Sequence, residues 1–522
     1  MAVSTGRAGA AATLGDRRSR ALLLVAVAAC AGCGLVYELI LLTLSTSLTG
    51  GGITQTSLIV AGFVAALGVG ALLVKPLVGH AAAVFVAVEI LLGVAGGLSA
   101  VTLYVTFSFY GTSGFVLVVA TAVLGILVGA EVPLLMTLLQ SGRAATDAAG
   151  AGRVVANLNA ADYAGALLGG LAWPFLLVPF AGLVRGAALT GLVNLVAAGV
   201  VAGFLLRPQL SSRARAAAAV ALALAVALLA GLLVAAQDIE VTARQRLYAD
   251  PVVTALRSDY QQIVVTRRGA DVRLYLDGDL QFSSVDEHRY TEALVHPVLA
   301  RDPARVLVLG GGDGLAAREV LRHPSVREVV QVELDPAVVE LATTRLAGLN
   351  DDALRDPRLR LVVGDAFRWL RTYRGPGFDA VIVDLPDPDT PALGRLYSTE
   401  FYGLTAGVLR PDGLVAVQAG SPYSTPSAFW RTVSTLRSAG MGVAPYHVHV
   451  PSFGDWGFAL AQLGDRAPAL GLSPQAPPLR FLDPAVLAAA AVFPRDRAPR
   501  DLPPSTLDRP RIVADLRQGY VG

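Results

Sequence analysis

Val306-Leu307-Val308-Leu309-Gly310-Gly311-Gly312-Asp313-Gly314 is the stretch that decides the fold. Its four apolar residues read as a buried strand and its glycines as a tight turn. The residues that follow, Leu315-Ala316-Ala317-Arg318-Glu319-Val320-Leu321, read as a helix. A second apolar strand, Val329-Val330-Gln331-Val332, then ends at Glu333. An acid at the carboxyl end of the neighbouring parallel strand reaches a ribose diol, so the pattern specifies a nucleoside.

It does not specify a dinucleotide. In the register that starts at Gly310, Leu315 stands where the last glycine of G-x-G-x-x-G would fall. Asp313 also puts a negative charge where a helix N-terminus would otherwise attract a pyrophosphate. A cationic nucleoside suits this loop better: a sulfonium such as S-adenosylmethionine or its decarboxylated form.

The chain is 522 residues long, 54% hydrophobic and 16% charged, which exceeds one ordinary domain and is too apolar for a wholly soluble protein. Its 42 basic and 40 acidic residues leave no nucleic-acid footprint. Nearly all charges precede residue 21 or follow residue 237, which divides the chain into a membrane half and a soluble half. Arg7, Arg17, Arg18 and Arg20 precede an apolar run too long for a signal peptide, so a retained first helix is expected. Apolar segments fall near 21–48, 54–78, 81–107, 114–139, 155–182, 186–206 and 214–236, each long enough to cross a bilayer.

Basic residues flank alternate loops, at Arg17 to Arg20, Lys75, Arg143 with Arg153, and Arg207 with Arg213 and Arg215, which places these loops inside. Seven spans would then put the soluble half outside, whereas a sulfonium nucleoside is made in the cytosol. Segment 155–182, headed by Asn157, Asn159 and Asp162, is accordingly expected to be re-entrant or miscounted and the soluble half cytoplasmic. Within the spans, Glu38, Glu89, Glu131 and Asp162 form a candidate acidic site for a polyamine or another cation, or else lie near the interfaces, protonated or bonded to neighbouring helices. Cys30 and Cys33, inside an apolar helix, read as small packing residues rather than a redox pair.

The expected organisation is a multi-pass α-helical membrane domain (1–238, about seven helices), a connector (239–255), a small β-sheet subdomain (256–300), an α/β Rossmann-like domain of the class I methyltransferase type (301–465), and a partly ordered tail rich in Pro and Arg (466–522). Tyr260 to Thr266 and Val272 to Leu276 alternate like paired strands around Arg268-Gly269-Ala270-Asp271, and Asp277-Gly278 marks a second hairpin. Asp286 opens a helix that runs to His296-Pro297. Further strands end at Gly364-Asp365, Asp384 and Gln418, and Leu385-Pro386-Asp387-Pro388-Asp389 adds two carboxylates to Asp384. Asp365 is placed to accept from an adenine amino group.

This set suits attack by an amine on the carbon beside a sulfonium. An aliphatic amine has a pKa of about 10.4 and is protonated at neutral pH, so a carboxylate must take its proton as the lone pair engages. Asp384 is the expected acceptor, Asp387 holds the amine, and Tyr290 assists.

Residues 258–460 resemble the polyamine aminopropyltransferases, specifically spermidine synthase. The resemblance is carried by Tyr260-Gln261, Leu276-Asp277-Gly278, Asp286-Glu287 with Tyr290, the glycine run with Asp313-Gly314, Glu333 with Asp335, Gly364-Asp365, Asp384 with Asp387-Pro388, and Trp456-Gly457-Phe458. The apolar first half resembles the membrane-anchored bacterial branch. The resemblance implies transfer of an aminopropyl group from decarboxylated S-adenosylmethionine, a co-substrate, to putrescine or a related diamine, giving spermidine and methylthioadenosine. Neither a metal nor a permanently bound cofactor is implied.

It further implies that Gln261, Gly311, Gly312, Glu333, Asp365, Ala366 and Pro391 hold the donor, that Asp313, Asp387, Thr291 and Gln418 hold the amine, and that relatives assemble as dimers or tetramers through the β-sheet region. Several positions depart from the family pattern: Thr291 replaces His or Gln, Ala366 replaces Gly, Ala419-Gly420 follows Gln418, and Phe453 replaces a frequent Tyr. These leave cadaverine, spermidine or another amine open as acceptor. A polyamine transporter or sensor with a non-catalytic nucleoside domain, and a methyltransferase on the same fold, are the alternatives.

Overall fold

The computed structural model describes residues 17–49, 53–111, 114–140 and 148–519; Arg7 and Arg143 of the charge pattern lie outside them. The chain divides into two compact units, Met1–Ala249 and Asp250–Gly522.

The first unit is helical: α1 (Arg17–Thr49), α2 (Ile53–Leu73), α3 (Ala81–Tyr110), α4 (Gly114–Gln140), α5 (Ala148–Ala172), α6 (Val178–Val200) and α7 (Ser212–Leu247). Among the described residues, six helical stretches are long and apolar enough to cross a membrane, one of them being 155–205, which carries most of α5 and all of α6. That stretch breaks at Gly182, whose φ of +77° and ψ of −176° leave the helix at a residue free to adopt them. Large apolar side chains such as Phe115, Phe180 and Val234 face outward, about four-fifths exposed. Such a surface suits lipid rather than water.

Glycines let these helices approach closely, and their neighbours fix the helix directions. Gly165 lies against Ala28 and Gly169 against Gly32, so α5 runs parallel to α1. Gly96 packs on Tyr37 while Cys30 meets Glu89, which makes α3 parallel to α1 as well. Gly97 meets Leu229 and Phe109 meets Arg246, giving α7 the same direction; α6 is antiparallel to α3, through Glu89 with Asn194 and Gly97 with Gly191. The re-entrant segment expected at 155–182 is therefore not found. α5 runs beside α1, because the small residues Gly165 and Gly169 seat it there. The start of α1 and the end of α7 consequently lie at opposite ends of this unit.

The connector expected over 239–255 is also shorter than the charges suggest. α7 continues to Leu247 and the first strand begins at Val252. Glu240 and Arg244 pair at i,i+4, and Arg244 and Arg246 sit in the last turn, where cations favour a helix end.

The second unit opens with an antiparallel sheet of β1 (Val252–Arg257), β2 (Gln262–Arg268), β3 (Asp271–Leu276) and β4 (Asp279–Ser283). Then follow α8 (Glu287–Val295), β5 (Arg305–Gly310), α9 (Leu315–Leu321), β6 (Glu328–Glu333), α10 (Pro336–Thr344), β7 (Leu359–Val363), α11 (Ala366–Thr372), β8 (Phe378–Asp384), α12 (Pro391–Gly394), α13 (Thr399–Val408), β9 (Leu409–Gly420), α14 (Pro426–Ser438), β10 (Met441–Val450) and β11 (Gly454–Leu463). The second sheet has the order β10-β11-β9-β8-β5-β6-β7, parallel except for the antiparallel β11 and β10. This is the class I methyltransferase-type Rossmann-like arrangement.

Side chains alternate across this sheet. Leu307 and Leu309 join Val381, Val383, Phe401 and Trp430 on one face, while Val306 and Val308 join Val320, Ile382 and Leu460 on the other. Both faces are covered, and each fully buried Val or Leu contributes about 1.5–3 kcal/mol.

The tail is folded rather than partly ordered. α15 (Pro484–Ala490) and α16 (Arg511–Gly519) close opposite faces of the sheet, α15 placing Leu487 in one core layer and α16 placing Ile512 and Leu516 in the other. Fully buried Glu292 accepts from the backbone N–H groups of Arg480, Phe481 and Leu482 at 2.7–2.9 Å, and Arg431 pairs with Asp515. A few apolar anchors and two buried charges order a composition that otherwise reads as loop.

Candidate active site

In the second sheet the chain runs outward through β5, β6 and β7 and then returns to add β8 on the other side of β5. The carboxyl ends of β5 and β8 therefore flank a crevice at the switch point. Gly310 lies opposite Asp384 in the register, and the Gly311 N–H donates to the Asp384 backbone carbonyl at 2.9 Å. A Cβ on Gly312 would come within 2.7 Å of the Glu333 carboxylate, so the loop passes that acid only because Gly312 has no side chain.

On the β6 side, Glu333 accepts the Asp335 N–H at 2.9 Å. Asp335 caps α10 through the Ala337 N–H and receives Ser258 Oγ at 2.6 Å and Gln261 Nε2 at 2.9 Å. Gln261 is thereby fastened from the small sheet onto the strand end that carries Glu333. Asp365 caps α11 through the Arg368 N–H at 2.7 Å and pairs with Arg395. Ala366 opens α11, and Pro391 takes the first position of α12 behind the Thr390 cap. These groups line the outer strand ends, as a nucleoside site requires.

On the β8 side, Tyr290 Oη on α8 donates to Asp384 Oδ1 at 2.6 Å. Phe453 and Phe458 hold the Tyr290 ring, with centroids 6.0 and 5.3 Å away. At the end of β9, Gln418 Nε2 reaches the Leu385 carbonyl at 2.7 Å, Asp387 Oδ1 at 3.2 Å and Tyr397 Oη at 2.5 Å. Tyr397 is the polar contact the sequence did not single out; it sits in no motif, yet its phenol also meets the Leu385 and Pro386 carbonyls. Arg395 was missed for the same reason. Asp313 Oδ1 accepts the Leu315 N–H at 2.9 Å, and its backbone carbonyl is held by Asn350. The Thr291 hydroxyl bonds to Glu287, which pairs with Arg318 at 2.8 Å.

Burial dominates the electrostatics. It raises the carboxyl of Glu333 to about 7, with backbone N–H bonds from Asp335 and Leu334 opposing and nearby Asp335 and Asp313 adding. Burial also raises Asp384, helped by the charge of Glu333 and opposed by the Tyr290 bond, and it raises Asp313, helped by the charge of Asp384. Tyr290 itself is driven well above the usual phenol range by burial and then by Asp384, so it stays protonated and acts as a donor. A crevice of carboxylates raised in this way either takes up protons or awaits cations. Among these raised carboxylates, Asp384 is the one held by a side-chain donor, Tyr290.

The fold and this crevice define a Rossmann-like protein with a carboxylate-lined site at the switch point of its sheet. The Spermine/spermidine synthase domain family matches residues 287–468. Over 99% of both chains, the polyamine aminopropyltransferase of Mycobacterium tuberculosis is 64% identical. That of Corynebacterium efficiens is 58% identical over 96% of each chain. Among solved structures, spermidine synthase from Thermotoga maritima aligns with a TM-score of 0.42 at 26% identity, covering 47% of this chain and 86% of its own. The chain belongs to the polyamine aminopropyltransferase family. It is thus an enzyme of aminopropyl transfer.

Proposed function

We propose that the enzyme transfers the aminopropyl group of decarboxylated S-adenosylmethionine to putrescine, with Asp384 as proton acceptor. The observation that carries this reading is the 2.6 Å bond from Tyr290 to Asp384 at the carboxyl end of β8, beside Asp387 and Asp313. The amine nitrogen attacks the carbon next to the sulfonium, the C–S electron pair returns to sulfur, and methylthioadenosine leaves. The proton lost by the amine passes to Asp384. Gln261, Gly311, Gly312, Glu333, Asp365, Ala366 and Pro391 hold the nucleoside; Asp313, Asp387 and Gln418 hold ammonium groups.

Asp313 suits a donor that lacks the methionine carboxylate, because that carboxylate would meet its charge. The raised carboxylates support the same reading, since cationic substrates are what make their ionised forms favourable.

One observation favours a longer acceptor as a second reading. Asp279 on β4 interacts electrostatically with Asp277, Asp387 and Asp389, so carboxylates extend beyond Asp387. An acceptor with a further ammonium group, such as spermidine, would use them. Full-length protein incubated with decarboxylated S-adenosylmethionine and a panel of putrescine, cadaverine and spermidine, followed by methylthioadenosine release, separates the two. The highest kcat/KM for putrescine supports the first reading, and preference for spermidine replaces it with the second.

The helical unit is assigned to the cell membrane on its outward apolar surface and span lengths. The catalytic unit is assigned to the cytoplasmic face, where its nucleoside donor is made; with the two ends of α7 on opposite sides, this puts Arg207, Arg213 and Arg215 outside, against the expectation from the charge pattern. Assembly of copies through the four-stranded sheet accompanies this reading.

A further inference from the structure

The helical unit encloses a polar cluster that aminopropyl transfer does not use. Glu89 of α3, Glu131 of α4, Asn194 of α6 and Tyr37 of α1 are each at least nine-tenths buried. Asn194 Nδ2 donates to the Glu89 carbonyl at 2.9 Å and to Glu89 Oε2 at 3.1 Å, and the Cys30 thiol of α1 also bonds to the Glu89 side chain. Glu131 lies within electrostatic reach of Glu89, and Tyr37 within reach of both.

Four buried atoms of this cluster have no hydrogen-bond partner: Glu89 Oε1, Glu131 Oε1, Asn194 Oδ1 and Tyr37 Oη. Among the described residues no Lys or Arg lies within ion-pair distance of either carboxylate, and no three His, Cys, Asp or Glu side chains gather as a metal site. Unpaired buried acceptors are costly, and unpaired buried carboxylates more so.

We infer that these residues form a binding site for a primary ammonium group within the helical unit. The donor count decides the ligand class. Three of the unpartnered atoms are acceptor oxygens, two of them on carboxyl groups, and a primary ammonium supplies three N–H donors and one positive charge. A phenol beside the site accepts or donates as required, and its ring packs on Gly96 of α3. The site lies roughly 12 Å from the start of α3, since Glu89 is eight residues into it at 1.5 Å per residue. An amine held there is of the same chemical class as the substrates of the catalytic unit, but the site is built from separate residues.

The test is equilibrium dialysis of radiolabelled putrescine against the full-length protein in lipid nanodiscs, without donor. The wild type is expected to bind one equivalent more than the Glu89→Gln, Glu131→Gln double variant, while both release methylthioadenosine at the same rate. Equal stoichiometry in the two proteins overturns the inference and leaves two protonated structural acids. Should the double variant fail to assemble, Tyr37→Phe keeps the ring and removes only the hydroxyl. It is expected to weaken this one class of sites roughly tenfold with turnover unchanged, and unaltered binding in that variant likewise overturns the inference.

Discussion

Replacing Tyr290 by Phe probes the catalytic geometry without disturbing its packing, because Phe453 and Phe458 contact the ring and only the hydroxyl reaches Asp384. A 2.6 Å O–H···O⁻ bond is charge-assisted and contributes about 1.5–3 kcal/mol to the ionised form. At 1.36 kcal/mol per unit, its loss moves the Asp384 pKa by about 1–2 units. The direction follows from the opposing causes: burial raises this carboxyl and the Tyr290 bond holds it down, so removing the bond raises it further.

A base works only when ionised, so the acidic limb of kcat/KM for Tyr290→Phe shifts upward by about 1–2 units. Below the limb the variant is roughly 10- to 100-fold slower than wild type, and well above it the two rates converge. Methylthioadenosine release measured from pH 6 to pH 9.5 reads both regimes. A loss of equal size at every pH, or a limb that moves down, would refute the idea that Tyr290 acts by stabilising the Asp384 carboxylate.

Other perturbations report on other parts of the account. Glu333→Gln should weaken methylthioadenosine binding roughly 10- to 100-fold while leaving the KM of the amine unchanged. Because Glu333 titrates at about 7 when the crevice is empty and a ribose diol favours its ionised form, nucleoside binding at pH 6.5 should release protons, measurable by calorimetry in buffers of different ionisation enthalpy; Glu333→Gln should abolish that release. Glu292→Ala strands three buried backbone N–H groups and should cost about 3–5 kcal/mol, seen as a lower unfolding temperature of the catalytic unit with the helical unit unaffected. For the topology, Gln209→Cys, on the exposed turn before α7, should react with a membrane-impermeant maleimide from outside the cell, since a cytoplasmic end of α7 places that turn on the opposite face; protection there would put the catalytic unit outside. Both native cysteines are buried and leave little background.

The catalytic sheet was legible where strands end abruptly in chemistry. β5, β6, β7 and β8 each stop at a glycine or an acid that the crevice needs, so strand, turn and functional residue are read together. The antiparallel pair β10 and β11 is less explicit, because residues such as His447, His449 and Gln462 interrupt its apolar pattern and its pairing is tertiary. The fold of the tail was hidden because its anchors are sparse and their partners, Glu292 and Arg431, lie far away in sequence. Tyr397 and Arg395 escaped for a similar reason: each meets the site from a short turn between α12 and α13 that carries no periodicity. The direction of α5 could not be read from hydropathy, which reports that a helix is apolar and not which neighbour its glycines face.

Aminopropyl transfer as proposed depends on the Asp384 carboxylate taking the proton of the attacking amine. Single-turnover release of methylthioadenosine by the full-length Asp384→Asn variant, with decarboxylated S-adenosylmethionine binding measured alongside, tests it most directly. Donor binding is expected within a few-fold of wild type, with the chemical step slowed roughly 100- to 10,000-fold at pH 7.5. An Asp384→Asn enzyme that turns over within a few-fold of wild type would contradict it and move the base to another group in the crevice.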